Sequence, residues 1–167
     1  MRWERLFEEL EARGEDLELE ERDLLVGELR DGDWAQTSWR DLLGGRVSLD
    51  VQGAGRVQGV VVLVNERLVH LRGEAVDHVV AARAVTTVHA TGRRADEPTT
   101  VGAALGWGHV LRALRDAGDE VRVRLVDGES RDGTVDVVGR DFVRLRSASG
   151  RDQVVPFGVV AVVSGRS

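Results

Sequence analysis

The sequence predicts its fold most clearly in residues 120–146, EVRVRLVDGESRDGTVDVVGRDFVRLR. In the first part of this stretch Val121, Val123 and Leu125 alternate with charged or polar neighbours, which is the pattern of a strand that buries one of its two faces. Asp127-Gly128 then provides a hairpin turn signal, and valines recur on its far side. The stretch therefore predicts antiparallel strands joined by short turns.

The same pattern continues to the end of the chain. After the first strand, the sequence predicts four more short strands, around residues 135–138, 142–145, 154–155 and 159–163. Strands this short do not make a stable open sheet, because too much of their apolar face would stay in contact with water. Curling them into a small barrel buries that face and removes most of the unpaired edges.

An internal repeat supplies a second set of strands. When the chain is shifted by 74 positions, residues 46–89 fall on residues 120–163 without a gap. Identical pairs occur along the whole match, among them Val47/Val121, Gly59/Gly133, Val69/Val143, Leu71/Leu145, Val80/Val154, Val85/Val159 and Val88/Val162. A match in phase with the apolar alternation indicates one fold used twice. The predicted fold is therefore mainly β, with an N-terminal helix and two tandem five-stranded small barrels.

A short helix is predicted before each barrel, because an apolar run leads to glycine in both places. Trp39, Leu42 and Leu43 precede Gly44, and Trp107, Leu111 and Leu114 precede Gly118. Glycine is the usual left-handed residue after the end of a helix. The chain then divides into an acidic helical segment at 1–37, a first barrel at 38–92, a linker at 93–106 and a second barrel at 107–167.

The N-terminal segment is the acidic part of the chain. It holds 13 of the 29 acidic residues, in a protein whose formal net charge is −6. Apolar residues of helical spacing run along it, and we name them the assembly stripe: Trp3, Leu6, Phe7 and Leu10. Gly14 leaves open whether the segment is one long helix or two. A stripe this narrow favours self-association or docking over catalysis.

The strand pattern carries a resemblance. The motifs V-x-V-x-L-x-D-G at 121–128, V-G-x-D-F-V-x-L at 138–145 and V-P-F at 155–157 resemble those of Sm-like and SH3-like small barrels. The whole layout, with MRWERLF opening an acidic helix and two such barrels behind it, is similar to an uncharacterised actinobacterial family. These motifs specify a fold and not a chemistry.

The resemblance to Sm-like proteins implies single-stranded RNA as a ligand. In that family, RNA contacts come from the turn before the third strand and from the element before the fifth. Carried over by position, the candidate residues are Asn65, Arg67, Arg140, Asp141 and Phe157. Other basic residues of the second barrel complete the set for nucleic-acid or partner binding: Arg122, Arg124, Arg131, Arg144 and Arg146. All 23 basic residues of the chain are arginine, so arginine alone is weak support for phosphate binding.

No catalytic, cofactor-binding or metal-binding residue is predicted. The chain has no cysteine, and His70, His78, His89 and His109 lack the spacing of metal ligands on one element. A nucleophile elbow and the Lys-Ser/Thr end of a phosphate loop are also missing. We therefore expect no enzyme, no cofactor and no small-molecule substrate. Since the sequence has neither a long apolar run nor the apolar core of a signal peptide, we expect a cytoplasmic protein without membrane contact.

Two functions are consistent with these patterns. The first is a non-enzymatic binding or adaptor protein that acts through protein–protein assembly or self-association, which the acidic segment and the nearly neutral barrels favour. The second is an Sm-like RNA-binding post-transcriptional regulator, which the resemblance and the arginines favour. Whether the two barrels pack as a pseudo-dimer or contribute two wedges to a ring stays open at this point.

Overall fold

The structure, a computed structural model, describes Gly32, residues 34–89 and residues 100–166. Residues 39–167 make one compact unit, and residues 1–38 belong to another. The predicted assembly stripe lies outside the described residues, as does nearly all of the predicted N-terminal helical segment. Both predicted barrel regions fall within the single compact unit.

The compact unit is mainly β, as predicted, and all of its strand pairs are antiparallel. The strands are β1 Arg46–Val51, β2 Gly55–Val64, β3 Leu68–Arg72, β4 Val76–Ala81, β5 Val85–His89, β6 Glu120–Leu125, β7 Ser130–Val138, β8 Phe142–Arg146, β9 Asp152–Pro156 and β10 Val160–Arg166. The helices of the compact unit are α1 Thr100–Ala104 and α2 Trp107–Ala117, with 3₁₀ turns at Trp39–Leu42, Ala82–Ala84 and Phe157–Val159.

The alternation in the sequence accounts for the strands that begin each repeat. Every second residue of β6 is buried, beginning with Val121, and its other residues face outward. The same holds for β1, beginning with Val47. Because successive side chains of a strand point to opposite faces, this pattern fixes which face of each strand meets the core.

The two repeats share their strand pairing. Val47 lies opposite Gly59, and Val121 lies opposite Gly133. A side chain at Gly59 would collide with the carbonyl oxygen of Arg72, and one at Gly133 would collide with the backbone of the next strand in the same way. Both repeats also carry a bulge on the second strand, at positions 61–63 and 135–137. The predicted offset of 74 residues therefore holds from the first strand through the third.

The offset changes after the third strand. Arg72 lies opposite Asp77, whereas Arg146 lies opposite Asp152, so the turn between β8 and β9 has one residue more. From that turn onward the repeats correspond at an offset of 75. The predicted pairs Val80/Val154, Val85/Val159 and Val88/Val162 are therefore wrong by one position; the equivalent pairs are Val80/Val155, Val85/Val160 and Val88/Val163.

The strands form one open sheet and not two separate closed barrels. Its order is β5-β1-β2-β3-β4-β10-β6-β7-β8-β9. The last strand of the second repeat, β10, pairs with β4 of the first, and this pairing joins the repeats. The prediction that curling would remove the edges is thus wrong, since β5 and β9 are left at the two ends of the sheet.

Two clusters of buried side chains lie beneath the sheet, one for each repeat. The first includes Leu49 and Leu71 together with Val162 from β10, so β10 contributes to both repeats. The second includes Leu111 from α2, which is fully buried, and Leu145. The core therefore continues across the β4–β10 junction.

The short helices before each repeat differ from each other. The element before β1 is a 3₁₀ turn, while α2 before β6 is a true helix that ends at Gly118 in the predicted left-handed conformation, with φ 73°. Part of the predicted linker, residues 100–104, is the helix α1. No helix among the described residues is long and apolar enough to span a membrane.

Candidate functional site

The predicted arginine cluster of the second repeat is largely paired with carboxylates. Arg122 donates to Asp132 at 2.8 Å, and this bond lowers the pKa of Asp132. Other pairs lie on the same sheet: Arg131 with Glu129, and Arg144 and Arg146 with both Asp136 and Asp152. These pairs leave the predicted cluster close to neutral, and the cluster does not present a continuous basic surface.

Arg124 is the exception in this cluster. Its side chain is half-buried, and Nη1 donates at 3.0 Å to the carbonyl oxygen of Ala54 in the first repeat. Its Nε is buried without a hydrogen-bond partner among the described residues. Burial, followed by the nearby charge of Arg122, lowers the pKa of Arg124. Arg124 thus links the two repeats and has no carboxylate partner within the part of the chain that the structure describes.

The turn at Arg140 and Asp141 joins β7 to β8, and both residues are exposed. The carbonyl oxygen of Asp141 accepts a bond from the backbone N–H of Phe157 at 2.8 Å. The Phe157 ring packs against the second core cluster and is half-buried. Phe157 therefore has a packing role in this structure, whereas Arg140 is free to meet a ligand.

Asn65 has a structural role in the equivalent turn of the first repeat. It is 5% exposed, and its Nδ2 donates to the carbonyl oxygens of Gly102 and Leu105. Its Oδ1 accepts the backbone N–H groups of Arg67 and Leu68, both at 2.8 Å. Every polar group of the amide is satisfied within the chain, so Asn65 anchors α1 to the sheet. The Arg67 side chain stays exposed.

The junction between β4 and β10 contains residues that the sequence did not single out. Val79 lies opposite Val163, and His78 lies opposite Ser164, with Nδ1 and Oγ 2.8 Å apart. Arg83 reaches across from the Ala82–Ala84 turn and donates to the carbonyl oxygens of Phe157 and Val160, both at 2.9 Å. The sequence does not predict these contacts, because they depend on the pairing of β4 with β10.

Among the described residues, no strand pairs with the outer side of β9, so this edge of the sheet exposes defined backbone groups. Bonds from Ser147 N to Arg151 O and from Phe157 N to Asp141 O mark the two ends of the β8–β9 ladder. Because backbone bonds alternate along an antiparallel pair, Asp152 and Val154 direct their N–H and C=O groups away from β8. Val154 is also 61% exposed, which is unusual for a valine in a strand.

The opposite free edge is β5. Val61 N bonds to Gly45 O, so the backbone groups of Ser48 and Asp50 turn away from β2 and towards His89 and Thr87 of β5. The backbone groups of Val88 between them therefore point outward. At this edge the Asp50 carboxylate accepts bonds from Arg56 and His89, both at 2.8 Å. The edge is thus apolar at Val88 and bears a compact charged network beside it.

A groove of about 830 Å³ crosses the sheet at the junction of the repeats. Strands β4, β10, β6 and β7 supply its floor, and His78 and Ser164 lie in it. Its charged side chains are Asp119, Glu120, Asp132, Arg122, Arg124 and Arg166. Among the described residues, no three His, Asp or Glu side chains are grouped closely enough to hold a metal ion.

No protein-family model matches this chain, and no curated protein matches it either. The sheet edges, the junction and the groove are therefore the observations on which a function can be proposed.

Proposed function

We propose that this chain is a non-enzymatic assembly protein whose copies join end to end, with β9 of one copy pairing with β5 of the next. In this proposal each repeat is a five-stranded Sm-like or SH3-like small barrel unit. The contact between copies would use the same strand pairing as the β4–β10 junction within one copy. The observation that carries it is that the two free edges are the repeat counterparts of the two edges paired at the junction.

The correspondence extends to single backbone groups. Bonds from Gly73 N to Val76 O and from Ala82 N to Arg67 O mark the ends of the β3–β4 ladder, so Asp77 and Val79 are the β4 residues that bond β10. With the offset of 75, their counterparts on β9 are the outward-facing Asp152 and Val154. β9 therefore offers the backbone groups that β4 uses at the junction.

The partner edge corresponds in the same way. Val163 of β10 lies opposite Val79, and its counterpart on β5 is Val88, whose backbone groups point outward. In the proposed contact Val154 would lie opposite Val88 of the next copy. Pairing would then cover an exposed valine and satisfy unpaired backbone groups on both edges, which are the features that make open edges associate.

A side chain at the β9 edge lacks the partner that such a contact would supply. Oε1 of Gln153 is buried and has no hydrogen-bond partner among the described residues. Gln153 is the counterpart of His78, which contacts Ser164 across the junction. The counterpart of Ser164 is His89 on β5, so the next copy would place an imidazole opposite Gln153. Imidazole can donate to an amide oxygen.

The contact between copies would be weaker than the junction within a copy. Arg83 spans the junction with two hydrogen bonds, but its counterpart is Gly158, which has no side chain to do so. Arg124 also spans it, and its counterpart is the acidic Asp50. We therefore expect reversible, concentration-dependent assembly. Since the contact is head-to-tail, it gives a ring if the rotation closes and a filament if it does not.

Cysteine pairing tests the proposed contact directly, because the chain has no cysteine of its own. Opposed residues that exchange backbone bonds have Cα atoms about 5.5 Å apart, which suits a disulfide. We expect Val88→Cys and Val154→Cys proteins, mixed and mildly oxidised, to form a mixed disulfide dimer that neither forms alone. The control is Val62→Cys, an exposed valine inside the sheet, mixed with Val154→Cys.

Two results would contradict the proposal. The first is a wild-type protein that stays monomeric by light scattering up to its solubility limit. The second is a Val88→Cys and Val154→Cys mixture that cross-links no faster than the Val62→Cys control mixture.

Single-stranded RNA binding is a second candidate function. What favours it is the pair of exposed arginines, Arg67 and Arg140, at equivalent turns of the two repeats. The carboxylate partners of the strand arginines weigh against a large electrostatic contribution. If the protein binds RNA, it should co-purify with material that absorbs at 260 nm and is removed by RNase, and Arg140→Ala should reduce that amount. A clean protein of defined mass would count against RNA.

A further inference from the structure

The groove at the junction holds a cation without a counterion. Four strands from both repeats line it, and Arg124 lies among its residues. Among the described residues no carboxylate lies within ion-pairing distance of Arg124, whereas Arg122 beside it is paired with Asp132. Removing a charge from water without pairing it is costly, so a half-buried guanidinium in this state favours a negatively charged ligand.

A second donor is directed at the same groove. Nδ1 of His78 contacts the Ser164 hydroxyl at 2.8 Å, and the ring's other nitrogen, Nε2, has no hydrogen-bond partner among the described residues. If the hydroxyl donates to Nδ1, then Nε2 carries the proton and can donate to a ligand. Burial, then the charge of Arg124, lowers the pKa of His78. The neutral ring therefore contributes a hydrogen bond and not a charge.

We infer that this groove binds a small oxyanion of the phosphate type, with Arg124 as its counterion and His78 as a second donor. Nη1 of Arg124 is bonded to Ala54 and Nε is buried, so Nη2, which has no hydrogen-bond partner among the described residues, would donate to the phosphate oxygen. Such a charge-assisted bond is stronger than one between neutral groups. The inference goes beyond the proposed assembly, because the groove lies at the internal junction and uses neither free edge.

The charge around the groove restricts the size of the ligand. Asp119, Glu120 and Asp132 line it together with the cations. A long polyanion such as RNA would run past these carboxylates, whereas one phosphoryl group needs to occupy only the space beside Arg124. The volume of about 830 Å³ leaves room for more than inorganic phosphate. A phosphate monoester and the free anion are therefore both compatible, since the recognised chemistry is the same.

Binding should also stabilise the junction. Arg124 donates to Ala54 in the first repeat while its own strand belongs to the second. An anion that neutralises Arg124 therefore favours the arrangement in which the repeats are joined. A ligand that binds only the folded state raises the apparent stability in proportion to its occupancy.

The test uses the full-length protein and inorganic phosphate, with ionic strength held constant by chloride. We expect a saturable heat of binding by calorimetry and a rise in Tm that saturates over the same concentration range. Arg124→Gln should weaken phosphate binding at least tenfold. Arg115→Gln is the matched control, because Arg115 lies on α2 and pairs with Asp116 outside the groove.

A second variant keeps the test decisive if Arg124→Gln does not fold. His78→Leu removes the ring donor while keeping an apolar side chain of similar bulk, and it should weaken phosphate binding about threefold or more. Adenosine 5′-monophosphate distinguishes the sources, with adenosine as the phosphate-free control. Tighter binding of the monophosphate than of inorganic phosphate indicates a phosphate monoester, and equal binding of the monophosphate and inorganic phosphate indicates the free anion. The inference is overturned if wild-type protein shows no saturable phosphate binding, or if Arg124→Gln and His78→Leu both bind like wild type.

Discussion

Val79 and Val154 occupy the same place in the two repeats, yet one faces a strand and the other faces water. Val79 lies opposite Val163 in the β4–β10 ladder. Val154, at the equivalent position of β9, is 61% exposed at the end of the sheet. Val79 thus belongs to a ladder that is formed within the chain, whereas Val154 lies on the edge that the proposed contact between copies would pair.

Val154→Lys should reduce end-to-end association. A lysine on an edge strand opposes pairing with another strand, because its charge would have to leave water. We expect the dissociation constant for self-association to rise about tenfold or more, equivalent to about 1.4 kcal/mol. Sedimentation velocity over a range of concentrations measures it. Val62→Lys, at an exposed valine of β2, should leave the mass distribution unchanged. An unchanged distribution for Val154→Lys would remove β9 from the interface.

Arg83→Met should loosen the junction within each chain. The substitution removes two hydrogen bonds to carbonyl oxygens of the second repeat and keeps most of the side-chain volume. Bonds to charged donors contribute about 1.5–3 kcal/mol, and because Arg83 is exposed we expect the lower part of that range. Urea denaturation of wild type, Arg83→Met and the control Arg151→Met would measure the loss. Equal denaturation midpoints for all three proteins would show that the Arg83 hydrogen bonds contribute nothing to the stability of the fold.

Asn65→Ala should destabilise the fold and release α1. The change leaves the carbonyl oxygens of Gly102 and Leu105 and two N–H groups of the β2–β3 turn without their side-chain partner. We expect a loss of about 1–3 kcal/mol in the free energy of unfolding. Faster hydrogen exchange in residues 100–105 should accompany it. Gln58→Ala, at an exposed position of β2, should stay within about 0.5 kcal/mol of wild type.

Acid should weaken the network beside β5. Bonds from Arg56, then from His89, lower the pKa of Asp50 to about 2 from its usual 3.8. A carboxyl group whose pKa is lower in the folded state stabilises the fold above its unfolded pKa, and this contribution is lost as the pH falls towards the folded value. The Tm of Asp50→Asn should thus lie below that of wild type at pH 6.

The gap between these two Tm values should narrow as the pH falls from about 4 to 2, the interval over which the native carboxylate becomes protonated. Gln58→Ala, at an exposed position of β2 with no ionisable side chain, serves as the control and should keep a constant offset from wild type. A gap for Asp50→Asn that is the same at pH 6 and pH 2 would contradict the assigned network.

The sequence predicted the strands that alternate cleanly and missed what depends on partners far along the chain. Apolar residues at every second position predict β1 and β6, and the internal repeat predicts that these two strands are equivalent. The sequence did not reveal the extra residue in the β8–β9 turn, because consecutive valines follow that turn in both repeats. An alignment of the repeats that is wrong by one position therefore still pairs valine with valine. Register there is set by pairing, which a single sequence does not display.

The candidate site was predicted less well than the fold, for a related reason. Asn65 and Phe157 have side chains that suit ligand binding. In the structure, however, the Asn65 amide bonds to the backbone of α1, and the Phe157 ring packs against the second core cluster. The strand arginines are basic in sequence, yet acidic residues on neighbouring strands neutralise most of them. Arg83, His78 and Ser164 carry no motif, and their importance comes from the β4–β10 pairing alone.

Because the two repeats are covalently linked, any oligomer of this chain contains an even number of repeats. Each chain brings two strand sets already joined at β4–β10, so the proposed assembly would have strong junctions within chains alternating with weaker contacts between chains. Dissociation would then occur at the contacts between chains and release whole chains. Duplication within one polypeptide thereby fixes where an oligomer built from it comes apart.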